Sequence, residues 1–421
     1  MDSRYHTGSE NSLEEMEEDS ETQSLGLDQD GKLPIFLSLK ELTLLKRTPL
    51  RNKNIKAIVS SKWMVIPDVI KKYLGWRVCE SSKETGNSWD IQWMDHSASL
   101  DEIRNLQPYQ KINRFPETKH LGRKNLLMKY LKKLKVYLQD DYTFFPETWI
   151  LPLEYDELKT HYHDKLAVEP NRKPIYIIKP ENGSCGEGIF LTDDITTLQS
   201  ANNCVVQEYL SEPLLIDGLK FDLRIYVLIK SISPLKIFIY REGMARFATQ
   251  KYVKPSKENL NDIYMHLTNY AVNKTNPEFQ FFQEEENQDG HKRSFTWILK
   301  YLKDSGQEPE SVFKNICDVI IKTIAAFQPH LEHTYKTCQP REENSEICFE
   351  LLGFDIILDK NYKPWVLEVN RFSSLNTDSK LDKTLKEHLL LDLFTLLNVN
   401  GMDKKPMESN KAYIPSKPAK L

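Results

Sequence analysis

The chain has 421 residues and a mass of 49.3 kDa, more than one hydrophobic core usually organises, so two or three lobes are expected. An apolar share of 40% and an aromatic share of 10% exclude a wholly disordered chain, and no apolar run approaches the ~18 residues of a membrane span. The net charge of −4 hides an asymmetry: residues 1–30 carry ten acids and one base, −9, which leaves +5 for residues 31–421.

The acidic, serine-rich opening, taken to residue 50, reads as a disordered leader, with neither the basic start nor the apolar stretch of a secretory signal. Six cysteines (Cys79, Cys185, Cys204, Cys317, Cys338, Cys348) include no CxxC pair. That argues against structural zinc and for free thiols in a reducing setting. Residues 55–60 and 90–93 read as strands, and 63–66 as the start of a helix. Leu127, Tyr130, Leu131, Leu134 and Leu138 recur at three- and four-residue spacing, the apolar face of an amphipathic helix. Residues 111–135 around it carry nine bases and one acid, Glu117. Such a run is either a solvated helix face or a dock for an acidic partner. Nucleic acid suits the charge, but no nucleic-acid motif is present and the pI near 6.3 argues against it.

From Pro174 the pattern turns to strands, at 175–179 and 204–210. Residues 222–230 and 235–240 form a hairpin about 231–234. A polar insert, 282–293, reads as a loop. Helices follow over 297–302 and 312–327, then a strand pair at 348–359 and 364–370, a leucine-rich helix over 382–397 and a short lysine-rich tail, 401–421.

Three places carry chemistry. In the last hairpin, a turn centred between Asn361 and Tyr362 makes the numbers of paired residues sum to 723 and sets Asp355 opposite Glu368. Asn370 then shares the Glu368 face. Two carboxylates and an amide among Leu, Ile and Val suit Mg²⁺ shared with phosphate and water, whereas acids on a solvated edge are the plainer reading. The loop after Lys179 carries Gly183, Gly186 and Gly188, whose backbone approaches phosphate freely. Its strand–loop–strand setting fits neither nucleotide fingerprint, and a flexible hairpin is an equal reading. Finally, Lys220, Asp222 and Arg224 alternate onto one strand face, as a surface ion-pair ladder or as phosphate ligands.

In order, Lys179 with its loop, Gln207-Glu208-Tyr209-Leu210, Lys220/Asp222/Arg224, His266-Leu267-Thr268-Asn269-Tyr270, and Asp355 with Glu368 and Asn370 resemble the tubulin tyrosine ligase-like family. The likeness runs from about 113 to about 397 and looks closest to the polyglutamylase branch. It implies an α+β ATP-grasp fold with an N-terminal lobe over 51–125, a central lobe over 126–215 and a C-terminal lobe over 216–400. It also implies that Lys124 and Lys179 contact ATP phosphates and that 207–210 meets adenine through its backbone. Lys220, Asp222, Arg224 and Arg246 would line the phosphate and acceptor region. His266, Thr268 and Asn269 would touch the nucleotide, and Asp355, Glu368 and Asn370 would hold Mg²⁺.

The implied reaction is ATP-dependent ligation. A carboxylate on an α- or β-tubulin tail becomes an acyl phosphate, and the amine of free L-glutamate displaces phosphate. A monomer in the cytoplasm, on the cytoskeleton and at the cilium or basal body is implied, with no nucleic acid and no membrane. The chain departs from the family pattern at Cys185, at Glu187 and at Arg371-Phe372-Ser373-Ser374. Arg371, next to Asn370, is expected to grip an acceptor or donor carboxylate. Glycine as the donor, or a non-catalytic tail binder that keeps ATP, are the alternative readings.

Overall fold

The computed structural model describes residues 54–399 except 87, 182, 184, 185 and 281–289. The acidic leader, the lysine-rich tail, most of the polar insert, and Asn182, Ser184 and Cys185 of the glycine loop lie outside the described residues. Three sheets carry the fold. The first is parallel, ordered β2-β1-β3-β4, from β1 (Lys56–Ser60), β2 (Arg77–Cys79), β3 (Ile91–Met94) and β4 (Lys111–Ile112). The second is antiparallel, β5-β8-β6-β7, from β5 (Thr148–Leu151), β6 (Tyr176–Pro180), β7 (Phe190–Thr192) and β8 (Cys204–Glu208). The third is the largest and antiparallel, β12-β11-β10-β13-β14. It comprises β10 (Leu219–Ile232), β11 (Leu235–Lys251), β12 (Lys292–Ser294), β13 (Glu350–Leu358) and β14 (Pro364–Asn370), with β9 (Leu215–Ile216) paired to β10.

The longer helices are α1 (Lys124–Leu138), α2 (Tyr155–Val168), α3 (Phe295–Asp304), α4 (Pro309–Cys338) and α5 (Lys380–Leu397). Among the described residues, no helix is long and apolar enough to cross a membrane. The insert expected over 282–293 ends in β12, whose Lys292 pairs with Arg246.

The third sheet is covered on both faces, which explains why β10 is apolar without a break from Ile225 to Ile229. One face sends Phe221, Leu223, Ile225, Val227 and Ile229 into a core with Leu127, Met128 and Leu131 of α1 and the inner stripes of α3 and α4. At its far end the other face places Tyr226 and Leu228 against α5 and the first sheet. Nearer its start that second face carries Lys220, Asp222 and Arg224, all buried. The sheet face therefore changes from ionic to apolar along a single strand, and the ionic end is the floor of the site. The second sheet has a core of its own, with Leu158 and Tyr162 of α2 among its members.

The last hairpin reaches the expected partner by an unexpected route. Leu358 pairs with Pro364 and Ile356 with Val366, sums of 722, so the turn is centred one half-residue earlier than assumed. A bulge beyond Ile356 then inserts one residue into β14, and Asp355 pairs with Glu368 and Phe354 with Val369, sums of 723.

Candidate active site

The floor of the site is a belt of charges laid across four neighbouring strands. Cross-strand pairing sets Asp222 opposite Arg246, Arg224 opposite Asp355, and Asp355 opposite Glu368. Arg224 Nε and Nη2 donate to the two oxygens of Asp355 at 2.6 and 3.1 Å. Arg246 Nε donates to Asp222 at 2.8 Å, and its Nη2 lies 2.9 Å from Asp355 Oδ2. Asn370 Nδ2 donates to the same oxygen at 3.2 Å. Burial pushes Asp355 upward, but the two guanidinium groups outweigh it and bring the carboxyl down to about 2. Asp222 moves the other way: burial raises it, Arg246 only partly opposes the shift, and Thr268 adds a hydrogen bond.

Gly353, paired with Asn370 and Tyr226, is where the backbone closes over this floor. A Cβ there would run into Ser373 Oγ and lie 3.0 Å from Arg224 Cδ, so the segment after Asn370 sits directly on the strand.

Cations reach the belt from the other sheets and helices. Lys124, the first residue of α1, places Nζ 3.7 Å from Glu368 and donates to the Gly183 carbonyl at 3.2 Å. Lys179, buried at the end of β6, donates to Gln207 Oε1 at 2.6 Å, and Gln207 in turn donates to Thr148. Lys220 donates to the Tyr209 hydroxyl at 2.9 Å and to the His266 carbonyl at 2.8 Å, with the Tyr209 ring beneath it. Burial lowers Lys179 to about 8 and Lys220 to about 7, against the opposing pull of Glu368 and Asp222. His266 sits 2.9 Å from the Tyr209 hydroxyl through Nδ1 and 3.0 Å from the Asn259 carbonyl through Nε2. Burial and the Lys220 charge bring it down to about 4. A neutral ring then donates from Nε2 and accepts at Nδ1.

The glycine loop packs on the segment after Asn269. Gly186 has φ +90°, and a Cβ there would lie 2.8 Å from Val272 Cγ2 and 3.4 Å from the Asn269 side chain; Gly188 has φ +69°. Glu187 is exposed. Part of the backbone of the 207–210 segment is engaged within the fold. The N–H groups of Glu208 and Tyr209 already donate to the carbonyls of Glu147 and Ile175, so they are not free for adenine. The Glu208 side chain accepts from Lys165, and Leu210 is half-buried.

Arg371 does not join the others. Alternation sends it away from Asp355, where Nη2 donates to Ser97 at 2.6 Å and Nε lies 3.8 Å from the fully buried Glu350. Arg114 lies 3.6 Å from the same Glu350 oxygen, and both guanidinium groups lie over the Phe372 ring. The expected grip on a substrate carboxylate is therefore replaced by a buried ion cluster.

Arg224, Arg246, Asn269, Asp355, Glu368 and Asn370 line a cavity of about 290 Å³. Part of its wall escaped sequence reasoning: Lys292 and Lys386 both bind the buried Asp382, at 2.9 and 2.7 Å, and Lys292 lies 3.5 Å from the centre of the Tyr270 ring. The available signal was an acid and a base four residues apart inside an otherwise leucine-rich helix. Among the described residues, no three His, Cys, Asp or Glu side chains gather as a metal cluster. The belt carries two carboxylates, Asp355 and Glu368, and one amide, Asn370.

Three sheets, with opposed carboxylates on neighbouring strands of the largest, fit an ATP-grasp fold. Residues 102–407 match the Tubulin-tyrosine ligase family, and the chain belongs to that family. Among its relatives is a probable beta-tubulin polyglutamylase of Tetrahymena thermophila, 43% identical over 86% of this chain and 30% of the relative. Others are tubulin polyglutamylase TTLL6 of Homo sapiens (42% identity, 76% of this chain, 35% of the relative) and TTLL7 of Xenopus tropicalis (38%, 91% and 41%). The chain thus spans between 30% and 41% of the length of these relatives.

Proposed function

We propose that this chain is an ATP-dependent ligase that adds glutamate to glutamate side chains in the tails of tubulin. The observation that carries the reading is the belt itself: Arg224, Arg246, Asp355, Glu368 and Asn370 converge from four strands at one cavity, with Asp222 paired to Arg246 beside it. The named activities of the relatives supply the substrate class.

In this reading Lys124, Lys179 and Lys220 hold the phosphates of ATP, and the backbone of Gly183, Gly186 and Gly188 closes over them. Asn269 and Thr268 orient the nucleotide from the opposite wall. Asp355, Glu368 and Asn370 offer the hard oxygen donors that magnesium takes, with phosphate and water completing its shell. Magnesium, when bound, neutralises charge on the transferring phosphoryl group. Arg246 and Arg224 fix Asp355 as a carboxylate and leave the Glu368 carboxylate beside Lys124, so the floor is organised before substrate arrives. Arg371 is left out of the proposed machinery because its guanidinium is engaged by Glu350 and Ser97.

The test is purified protein with microtubules, ATP, Mg²⁺ and one radiolabelled amino acid at a time. Glutamate incorporation that depends on ATP and is absent in Glu368→Gln is expected. Incorporation of glycine alone would make the chain a glycine ligase, and none with any amino acid would make it a non-catalytic tail binder.

A further inference from the structure

The cavity at the belt has a second end, to which the proposed reaction gives no role. Lys292 stands on β12 directly opposite Arg246, so the two side chains share one face and the ionic floor runs one strand further. Arg246 carries the contact on to Asp355, with Nη2 2.9 Å from Oδ2. Lys386 of α5 meets Lys292 at Asp382, where the two ammonium groups donate to different oxygens of one carboxylate, at 2.7 and 2.9 Å. Lys292, Lys386 and Asp382 are 6%, 2% and 1% exposed. Two buried cations thus share one anion, and one positive charge is in excess. Burial lowers both lysines, and Asp382 opposes the shift. A buried excess of charge is costly until an anion answers it. Lys386 has a second acceptor, the Asn376 carbonyl. Among the described residues the Lys292 ammonium has Asp382 alone as acceptor, with the Tyr270 ring centre at 3.5 Å. An ammonium carries three donors, so Lys292 keeps capacity for a ligand in the cavity that it lines.

We infer that Lys292, backed by Lys386 and Asp382, is the subsite for the side-chain carboxylate of the free amino acid, and that it determines the choice of an acidic donor. The inference rests on the ligase reading of the same site. Phosphate is the competing anion, but Lys124, Lys179 and Lys220, which that reading assigns to the phosphates, do not line this cavity, whereas Lys292 and Lys386 do. The volume of about 290 Å³ is also at the lower limit of ordinary ligand pockets. At ~30 Å³ each it would hold about ten waters, a match for the roughly ten heavy atoms of glutamate. Glutamine or glycine would leave the excess charge unanswered, and a site built around a charged partner discriminates strongly against an analogue that lacks it.

Calorimetry with the full chain, Mg²⁺ and a non-hydrolysable ATP analogue tests the subsite without turnover. L-glutamate, L-glutamine and glycine are titrated in turn, with no acceptor present. The wild type is expected to bind glutamate about thirtyfold more tightly than glutamine, the worth of one charge-assisted hydrogen bond. In Lys292→Met, checked for folding by circular dichroism, that preference should shrink to about threefold or less, with affinity for the ATP analogue unchanged. A purely structural tie between β12 and α5 would weaken both amino acids alike and keep their ratio. If the methionine variant does not fold, Lys292→Gln, which keeps a donor toward Asp382, is measured in its place. An unchanged ratio in the variant overturns the inference, as does a wild type that binds no glutamate. Weakened binding of the ATP analogue by the variant also overturns it, by assigning the lysines to phosphate. Glutamate incorporation by the wild type with an unchanged ratio in the variant refutes the subsite and leaves the ligase reading standing. A lost preference with no incorporation by the wild type upholds the subsite and refutes the ligase, so the two failures are distinct.

Discussion

Binding of ATP to this site should take up protons from solution, in an amount fixed by two buried lysines. Burial brings Lys179 to about 8 and Lys220 to about 7 in the free protein. Phosphate oxygens beside them favour the charged form, because an opposite charge at close range raises a lysine toward or beyond its ordinary value. At pH 8 Lys179 is about half charged and Lys220 about one-tenth, so the free site lacks about 1.4 protons that the bound site holds. At pH 7 the deficit is about 0.6 and at pH 9 about 1.9, a steady rise over two units. Calorimetry of ATP binding in buffers of different ionisation enthalpy reads the number directly. In Lys220→Met the uptake at pH 8 should fall to about 0.5, the share left to Lys179. Identical heats in all buffers at pH 8 would show that neither ammonium changes state, and that neither meets phosphate.

The two proposed metal carboxylates should separate under mutation. Glu368→Gln is expected to abolish incorporation while stability stays within about 0.5 kcal/mol of wild type, because Glu368 is only partly buried. Asp355→Asn should also cost about 3–5 kcal/mol by urea denaturation, since it leaves Arg224 buried without its carboxylate. Arg371→Met should lower stability by about 2 kcal/mol, through Glu350 and Ser97, and leave ATP affinity unchanged in the same calorimeter. Glu242 is fully buried, and burial raises it to about 7 against hydrogen bonds from Thr296 and Gly243. A raised carboxyl contributes stability that is complete below its ordinary value and lost as pH rises through about 7. Glu242→Gln should therefore flatten a fall of about 2.5 kcal/mol in stability between pH 5 and 8.

Much of the largest sheet is legible in the sequence because its strands are bounded by turns and its polar residues alternate. Lys220, Asp222 and Arg224 share a face, as strand periodicity requires, and the helix stripe from Val312 to Phe327 is buried as its spacing implies. Other elements give little local signal. α2 buries only Leu158 and Tyr162 along its 14 residues, too sparse a stripe to read, and β5 lies between Pro146 and Pro152. Arg371 shows the limit of reasoning from chain proximity. It neighbours Asn370 in sequence, yet one step along a strand points it at the opposite face, where a glutamate 21 positions earlier sets its direction. The Lys292–Asp382–Lys386 cluster joins a short strand to a distant helix, a pairing that only the tertiary fold creates.

The bulge in β14 has a bearing on how this hairpin tolerates change. Between the turn and Ile356 the two strands keep one count, and beyond it they keep another, so the extra residue works like a slack link between loop and site. A chain that gained or lost one residue in the turn could recover the Asp355–Glu368 opposition by losing or shifting that link, with no other strand moved. Without it, each single-residue change in the turn would swing Glu368 and Asn370 to the apolar face together. The loop end of the hairpin is thereby free to vary in length, while the pair of carboxylates at its other end stays in step.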